Sequence, residues 1–143
     1  MTGDAEIIAR IAWVQDTHTW AKGGVMMRSD LTAGSPNACI FQRPDKQITF
    51  QTRTAAGGVT TSVGPEGGTG SVKWVRLVRS GNEFSGYYST SSSTGPWTRL
   101  GAATTTMPAT VKTGIVACSH LGYELGRTNF HEVSTVPASA SST

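Results

Sequence analysis

Carboxylate side chains are the first candidates for catalysis, because glycoside hydrolysis needs two of them at a fixed separation. The chain contains nine Asp and Glu residues. Only Asp4 and Glu6, near the amino end, are spaced to share one face of a strand. The GxSxG, HExxH and P-loop signatures are absent from the sequence. We therefore expect no catalysis, and the sequence predicts that the chain is not an enzyme.

Histidine and cysteine give no spacing typical of a metal or redox centre. His18, His120 and His131 are far apart in sequence, and there is no CxxC pair. Cys39 and Cys118 each follow small or apolar residues inside a predicted strand. One interpretation is two buried free thiols that pack as small hydrophobic groups. The other is a cross-strand or inter-sheet disulfide, which requires Cα atoms within about 7 Å.

Planar polar and aromatic side chains offer a different chemistry, the binding of sugars. Sugars stack on aromatic rings and accept paired hydrogen bonds from groups such as Arg and Gln. Arg28 shares a face of its predicted strand with Met26, although it could instead pair with an acid such as Asp30. Tyr87 points away from its neighbour on the same strand, so one of the two tyrosines is expected to be exposed. The predicted ligand-binding residues are Trp20, Arg28, Gln51, Arg53, Tyr88 and His120.

The segment 74–101, WVRLVRSGNEFSGYYSTSSSTGPWTRLG, indicates how such residues are positioned. Its alternating pattern predicts three antiparallel strands, with a tight turn at Ser80-Gly81-Asn82, where Gly and Asn tolerate positive φ. Val, Ile and Thr greatly outnumber Leu in the whole chain, and 17 Gly and 6 Pro supply turns. The sequence therefore predicts an all-β antiparallel sandwich of jelly-roll type.

The remaining strands are predicted from the same alternation. They form one domain over residues 1–136, followed by a flexible Ser- and Ala-rich tail over 137–143. Besides the segment above, the predicted strands are Glu6–Gln15, Gly24–Ser29, Asn37–Arg43, Gln47–Thr54, Val59–Val63, Val111–His120 and Arg127–Thr135.

The charge of the chain is mildly basic, with a net charge of +3 and a pI near 9.1. Its densest basic group is Lys73, Arg76 and Arg79, and strand alternation places Arg76 opposite the other two. We therefore expect no nucleic-acid binding, which needs a contiguous basic stripe with stacking aromatics. The start of the chain does not resemble a signal peptide, and no apolar run approaches the roughly 20 residues of a membrane span.

Several segments resemble one family when they are taken in order. They are GDAEIIARI, WAKGGVMMRSDLTAGSPNA, ITFQTR, WVRLVRSGNEFSGYYS, PWTRLG, MPATVKTGIVACSH and TNFHEV. The succession is similar to a bacterial extracellular LamG-like β-sandwich domain of the concanavalin-A-like lectin/glucanase superfamily. The resemblance covers nearly the whole chain. It implies a jelly-roll sandwich appended to carbohydrate-active enzymes or surface proteins, with glycan binding as the usual expectation.

Two departures from this family bear on function. Its members usually begin with further outer strands, so the resemblance implies that Glu6–Gln15 and Arg127–Thr135 lie near a sheet edge that a partner could cover. The closing FDNV motif is replaced by FHEV at 130–133, which removes an aspartate used for structural calcium in this superfamily. The ExDxxE arrangement of its glucanases is also missing. We therefore expect no cofactor, with a structural calcium ion the one exception left open.

Two hypotheses remain from the sequence. The first is a non-catalytic carbohydrate-binding or adhesion module whose partner is a glycan or surface polysaccharide. The second is a structural assembly protein, such as a virion decoration or fibre subunit, that forms a homo-oligomer or larger particle through its sheet edges. Both place the chain outside the cell, on a cell surface or on a virion surface.

Overall fold

Two antiparallel sheets form the molecule in a computed structural model that describes residues 2–18, 21–66, 73–118 and 128–137. Ten strands lie within these ranges. Their bounds are β1 Ala5–Val14, β2 Lys22–Arg28, β3 Asn37–Gln42, β4 Ile48–Arg53, β5 Thr60–Glu66, β6 Lys73–Ser80, β7 Glu83–Ser89, β8 Thr98–Thr104, β9 Lys112–Cys118 and β10 Thr128–Pro137. The prediction of an all-β antiparallel sandwich is confirmed.

Each sheet has five described strands. The first, called the β1 sheet below, has the order β10-β1-β6-β7-β8, and the second, the β3 sheet, has the order β5-β4-β3-β2-β9. Alternate side chains of each strand point between the sheets and form one core, as Ile7 and Ile11 of β1 and Val25 and Met27 of β2 illustrate. The side chains between them face outward, so the same alternation that builds the core also fixes which residues line the outer surfaces.

One aromatic ring interlocks the two sheets. Phe50 of β4 is buried and points toward Gly86 of β7 and Gly101 of β8, which are directly paired across their strands. A Cβ atom added at Gly86 would lie 2.5 Å from Phe50 Cδ1, and one added at Gly101 would lie 2.9 Å from Phe50 Cδ2. Both glycines are therefore required because the ring occupies the space in which their side chains would stand.

The basic residues of β6 are divided between two faces, as the sequence predicts. Lys73 and Arg79 are buried on the inner side, whereas Arg76 lies on the outer side. Arg79 donates hydrogen bonds to the carbonyl oxygens of Met107 at 3.0 Å and Pro108 at 2.7 Å. Burial lowers the pKa of the Lys73 ammonium. These residues support the fold and do not combine into one basic patch.

The expectation of a free edge at the amino-terminal strand is wrong. β1 lies inside its sheet, with β6 on one side and β10 on the other. The carboxy-terminal strand returns antiparallel onto β1 and supplies hydrogen-bonding partners along most of its length. Only β10 of the two predicted edge strands lies at an edge. Of the predicted tail over 137–143, Pro137 is the last residue of β10, and residues 138–143 fall outside the described residues.

We predict that Gly86→Val lowers the free energy of unfolding by about 1–3 kcal/mol, because the new side chain must displace the Phe50 ring. Gly114→Val is the matched control, since a Cβ atom there meets nothing within 4 Å. The control should change stability by no more than about 1 kcal/mol. Urea unfolding of both variants measures the difference. Equal stability of the two variants would contradict the interlocking role of Phe50.

Candidate functional site

The outer surface of the β3 sheet carries two adjoining depressions, and we call this surface the open face. The larger depression has a volume of about 430 Å³ and the smaller about 220 Å³, and they share Met26, Arg28 and Val116. The other residues that line the larger one are Lys22, Ala33, Asn37, Cys39, Gln51, Arg53, Thr60 and Cys118. All five strands and the loop between β2 and β3 contribute to it.

One line of residues crosses the open face at right angles to the strands. Thr60 pairs with Arg53, Arg53 with Asn37, Asn37 with Arg28, and Arg28 with Lys112. Because directly paired residues of neighbouring strands project to the same side of a sheet, these five side chains stand in one row. We call them the cross-strand row. The register thus places three of the predicted ligand-binding residues, Arg28, Gln51 and Arg53, on the open face.

Both arginines of the row are held by backbone oxygens of the loop between β2 and β3. Arg28 Nε donates a hydrogen bond to the carbonyl oxygen of Asp30 at 2.6 Å, and Arg28 Nη2 donates to that of Thr32. Arg53 Nη1 donates to the carbonyl oxygen of Ala33 at 2.8 Å. A guanidinium group has five N–H donors, so each arginine is fixed in place and still has donors to offer. The site is therefore pre-organised.

Asp30 does not pair with Arg28 through its carboxylate, contrary to the alternative that the sequence left open. The Asp30 carboxylate instead accepts hydrogen bonds from the backbone N–H of Thr32 at 2.8 Å and from its hydroxyl group. The hydrogen bond from the Thr32 side chain is the main cause of the lowered pKa of Asp30. The carboxylate thus orders the loop and forms no ion pair with Arg28, although the nearby positive charge of Arg28 also contributes to the lowered pKa of Asp30.

Two amide side chains complete the polar lining. Asn37 Nδ2 donates to the carbonyl oxygen of Ser35 at 3.1 Å, and its amide oxygen has no hydrogen-bond partner among the described residues. Gln51 is half-buried beside Arg53 on β4, and its amide has no hydrogen bond to any described residue. Lys22, farther along β2, places its ammonium 4.7 Å from the centre of the buried Phe41 ring. Asn37 and Lys112 are not among the residues predicted from the sequence, because only the pairing of distant strands brings them beside the arginines.

The remaining predicted ligand-binding residues do not join this group. Tyr88 lies on β7 in the other sheet and is packed against the core, because β7 directs it to the same side as Phe84 and Gly86. It therefore does not line the open face, and its ligand-binding role stays a prediction. Trp20 and His120 lie outside the described residues, and their roles stay predictions.

The two cysteines are free thiols, so the disulfide interpretation is wrong. Cys39 pairs with Met26 from one side of β2, and Cys118 pairs with Lys22 from the other. The two cysteines therefore lie two strands apart, at about 4.8 Å per strand, and are also offset by four residues along the strand direction. This separation is well beyond the distance of about 7 Å that a disulfide allows between Cα atoms. The alternative of two buried thiols holds for Cys39 only, since Cys118 is exposed.

The outer surface of the β1 sheet carries a different cluster. The Arg76 guanidinium lies 5.3 Å from the centre of the Tyr87 ring and 5.8 Å from that of Trp97. It also forms an ion pair with Glu6 at 2.6 Å. This arginine therefore has an acidic partner and covers the aromatic rings, which distinguishes it from the arginines of the open face.

The described part of the chain contains no group of three His, Cys, Asp or Glu side chains that could hold a metal ion. Nor does that part contain a helix long and apolar enough to cross a lipid bilayer.

Comparison with known proteins gives structural likenesses. No protein-family model matches the chain, and no curated protein matches its sequence. A functionally unknown protein from Saccharomyces cerevisiae superposes with a TM-score of 0.70 at 16% identity, covering 96% of this chain and 71% of that one. The GH43 protein BlXynB from Bacillus licheniformis superposes with a TM-score of 0.68 at 13% identity, and the match covers 94% of this chain and 27% of that one.

Sheep galectin-11, in a complex with glycerol, has a TM-score of 0.56 at 9% identity, and the match covers 95% of this chain and 92% of the galectin. The chain has the concanavalin-A-like lectin/glucanase fold. That part of the sequence resemblance is confirmed. Identities this low show the fold alone, so the finer likeness to LamG-like domains stays a prediction.

We predict that a maleimide labels one thiol of the native protein, Cys118, and reaches Cys39 only after unfolding. Cys39 is 3% exposed, and burial raises the pKa of its thiol to about 12, so the reactive thiolate is scarce at neutral pH. Mass spectrometry counts the adducts, and Cys118→Ser should abolish native labelling. Two adducts on the native protein, or none because of a disulfide, would contradict the placement of the two strands.

Proposed function

We propose that the chain is a non-catalytic carbohydrate-binding module that holds a glycan on its open face. The observation that carries this proposal is the larger depression, about 430 Å³ in volume, in which Arg28, Asn37, Gln51 and Arg53 present planar polar groups. Pairs of hydroxyl groups on a sugar ring match such groups, which donate or accept two hydrogen bonds at once.

The positions of these groups suit a binding site because little ordering is needed on association. The arginines are already tied to loop carbonyl oxygens, and the amides stand on strands whose register is fixed by the core. Side chains held in place before binding lose less conformational entropy, which favours affinity. Met26 and Val116 add apolar surface between the polar groups, against which the C–H faces of a sugar can pack.

The described residues of this surface support a binding role over a hydrolytic one. None of the described residues that line the two depressions is Asp or Glu. Hydrolysis of a glycosidic bond uses a pair of carboxylates in most enzymes of that class. The fold shared with a galectin supports carbohydrate as the ligand class. A module of this kind would act outside the cell or on its surface, where polysaccharides are exposed.

The assembly hypothesis loses one of its two predicted edge strands. β1 is paired on both sides, whereas β10 lies at the edge of its described sheet. No described feature favours a virion or fibre role, and self-association stays a prediction from the sequence.

We predict that Gly114→Tyr weakens glycan binding at least about tenfold, equivalent to about 1.4 kcal/mol. A Cβ atom at Gly114 meets no protein atom within 4 Å, so the new ring occupies the smaller depression without disturbing the fold. A glycan array identifies the tightest oligosaccharide for the native protein, and isothermal titration calorimetry then measures it against the variants.

Ala102→Tyr is the matched control for this substitution. Ala102 is exposed on β8 of the other sheet, so the same ring is added away from the open face. Its affinity should equal that of the native protein. The proposal fails if no glycan on the array is bound, or if Gly114→Tyr binds as well as the control.

A further inference from the structure

Positive charge is concentrated on the open face. Four basic side chains, Lys22, Arg28, Arg53 and Lys112, line the two depressions. The net charge of the whole chain is only +3, since 9 acidic residues nearly balance 12 Lys and Arg. The distribution of charge is therefore uneven, and the open face is much more basic than the composition suggests.

The described acids that form ion pairs do so elsewhere. Glu6 pairs with Arg76, Asp45 with Arg43, and Glu83 with the guanidinium of Arg99 at 3.6 Å. Among the described residues, none of the four open-face cations forms an ion pair. Arg28 and Arg53 bind neutral carbonyl oxygens, and the Asp30 carboxylate, which interacts with the charge of Arg28, forms no ion pair with it. Like charges gathered on one surface repel each other and attract anions.

The charges also have a geometric order. Arg53, Arg28 and Lys112 belong to the cross-strand row, on β4, β2 and β9. With strands about 4.8 Å apart, the Cα atoms of Arg53 and Lys112 are separated by about 14 Å along a line perpendicular to the strands. Asn37 stands between the two arginines in that line. This arrangement matches an extended ligand that carries several negative groups and lies across the strands.

In addition, one hydrogen-bond donor of the Arg53 side chain has no acceptor among the described residues. Its Nε atom is buried and has no hydrogen-bond partner among the described residues, although Nη1 binds the Ala33 carbonyl oxygen. A buried donor without an acceptor is costly, and the Nε and Nη2 edge of a guanidinium is suited to both oxygens of a carboxylate or sulfate group. A hydroxyl group of a neutral sugar would satisfy one donor but would leave the charge unbalanced.

We propose that the ligand of the open face is an anionic, linear glycan, which carries carboxylate or sulfate groups and lies along the cross-strand row. This inference rests on the proposed glycan-binding function and specifies the class of glycan. Arg53 receives a negative group at one end of the row, and Arg28 and Lys112 receive one at the other end. Asn37 binds sugar hydroxyl groups between them.

A nucleic acid is the other extended polyanion to consider, and the open face is less suited to it. Proteins that bind single strands combine basic grooves with exposed aromatic rings on which bases stack. The aromatic ring that the described strands direct to this face, Phe41, is fully buried and is covered by the Lys22 ammonium. The described part of the face therefore offers charge and hydrogen bonds without a stacking platform.

Isothermal titration at low salt with four probes tests the proposal. They are a heparin-derived hexasaccharide, a hexagalacturonate that carries carboxylates alone, neutral xylohexaose and a single-stranded oligothymidylate of matched charge. At least one anionic hexasaccharide should bind about tenfold or more tightly than xylohexaose, and its affinity should fall as sodium chloride is added. The two anionic probes distinguish sulfate from carboxylate recognition.

Lys112→Gln is the most informative variant, because Lys112 is exposed and has no partner among the described residues on which folding depends. It should weaken binding of the anionic hexasaccharide about threefold or more and reduce the salt dependence. Arg99→Gln removes the same charge from the other sheet and should have no effect. Arg53→Gln tests the second end of the row, with circular dichroism as the check on its folding.

Failure of this inference is distinguishable from failure of the proposed function. If xylohexaose binds as tightly as the anionic hexasaccharides, and Lys112→Gln has no effect, the anionic class is wrong while glycan binding stands. If the oligothymidylate binds more tightly than every hexasaccharide, the glycan assignment is overturned as well. If Gly114→Tyr leaves hexasaccharide binding unchanged, the ligand does not lie on the open face.

Discussion

The insertion of one aromatic ring between two glycines determines how the sheets of this protein meet. Phe50 projects from β4 into the space left by Gly86 and Gly101, which are paired on β7 and β8. Any side chain at either glycine would push the sheets apart, and a smaller residue at 50 would leave a cavity. The contact therefore fixes the position of β4 against the opposite sheet and, through the ladder of strands, the register of the β3 sheet.

That register is what creates the candidate site. Side chains alternate along a strand, so Phe50 pointing inward requires Gln51 to point outward, and Arg53 follows on the same side. A slip of one residue would place both polar groups in the core and expose Phe50. The burial of apolar residues thus stabilises the sandwich and at the same time holds the cross-strand row in place. Backbone oxygens of the loop between β2 and β3 then restrict the two arginines to defined positions.

The sequence predicts the fold and about half of the site, and the limit has a physical origin. Alternation within one strand is local, so the shared face of Gln51 and Arg53 could be found from the sequence alone. Pairing between distant strands is not local, which is why Lys112 beside Arg28 and β10 beside β1 escaped prediction. Alternation along β7 shows that Tyr88 and Tyr87 point to opposite faces of the sheet, but it does not show which of the two faces the core. Hydrogen bonds from arginine to loop carbonyl oxygens have no sequence signature.

The central claim is that a glycan binds on the outer surface of the β3 sheet, and an NMR titration tests it most directly. Proton–nitrogen correlation spectra would be recorded while the tightest oligosaccharide from a glycan array is added to the labelled native protein. The account predicts that the largest shift changes occur at the amides of Met26, Asn37, Gln51 and Gly114. Changes confined to the other sheet, around Arg76 and Tyr87, would contradict it.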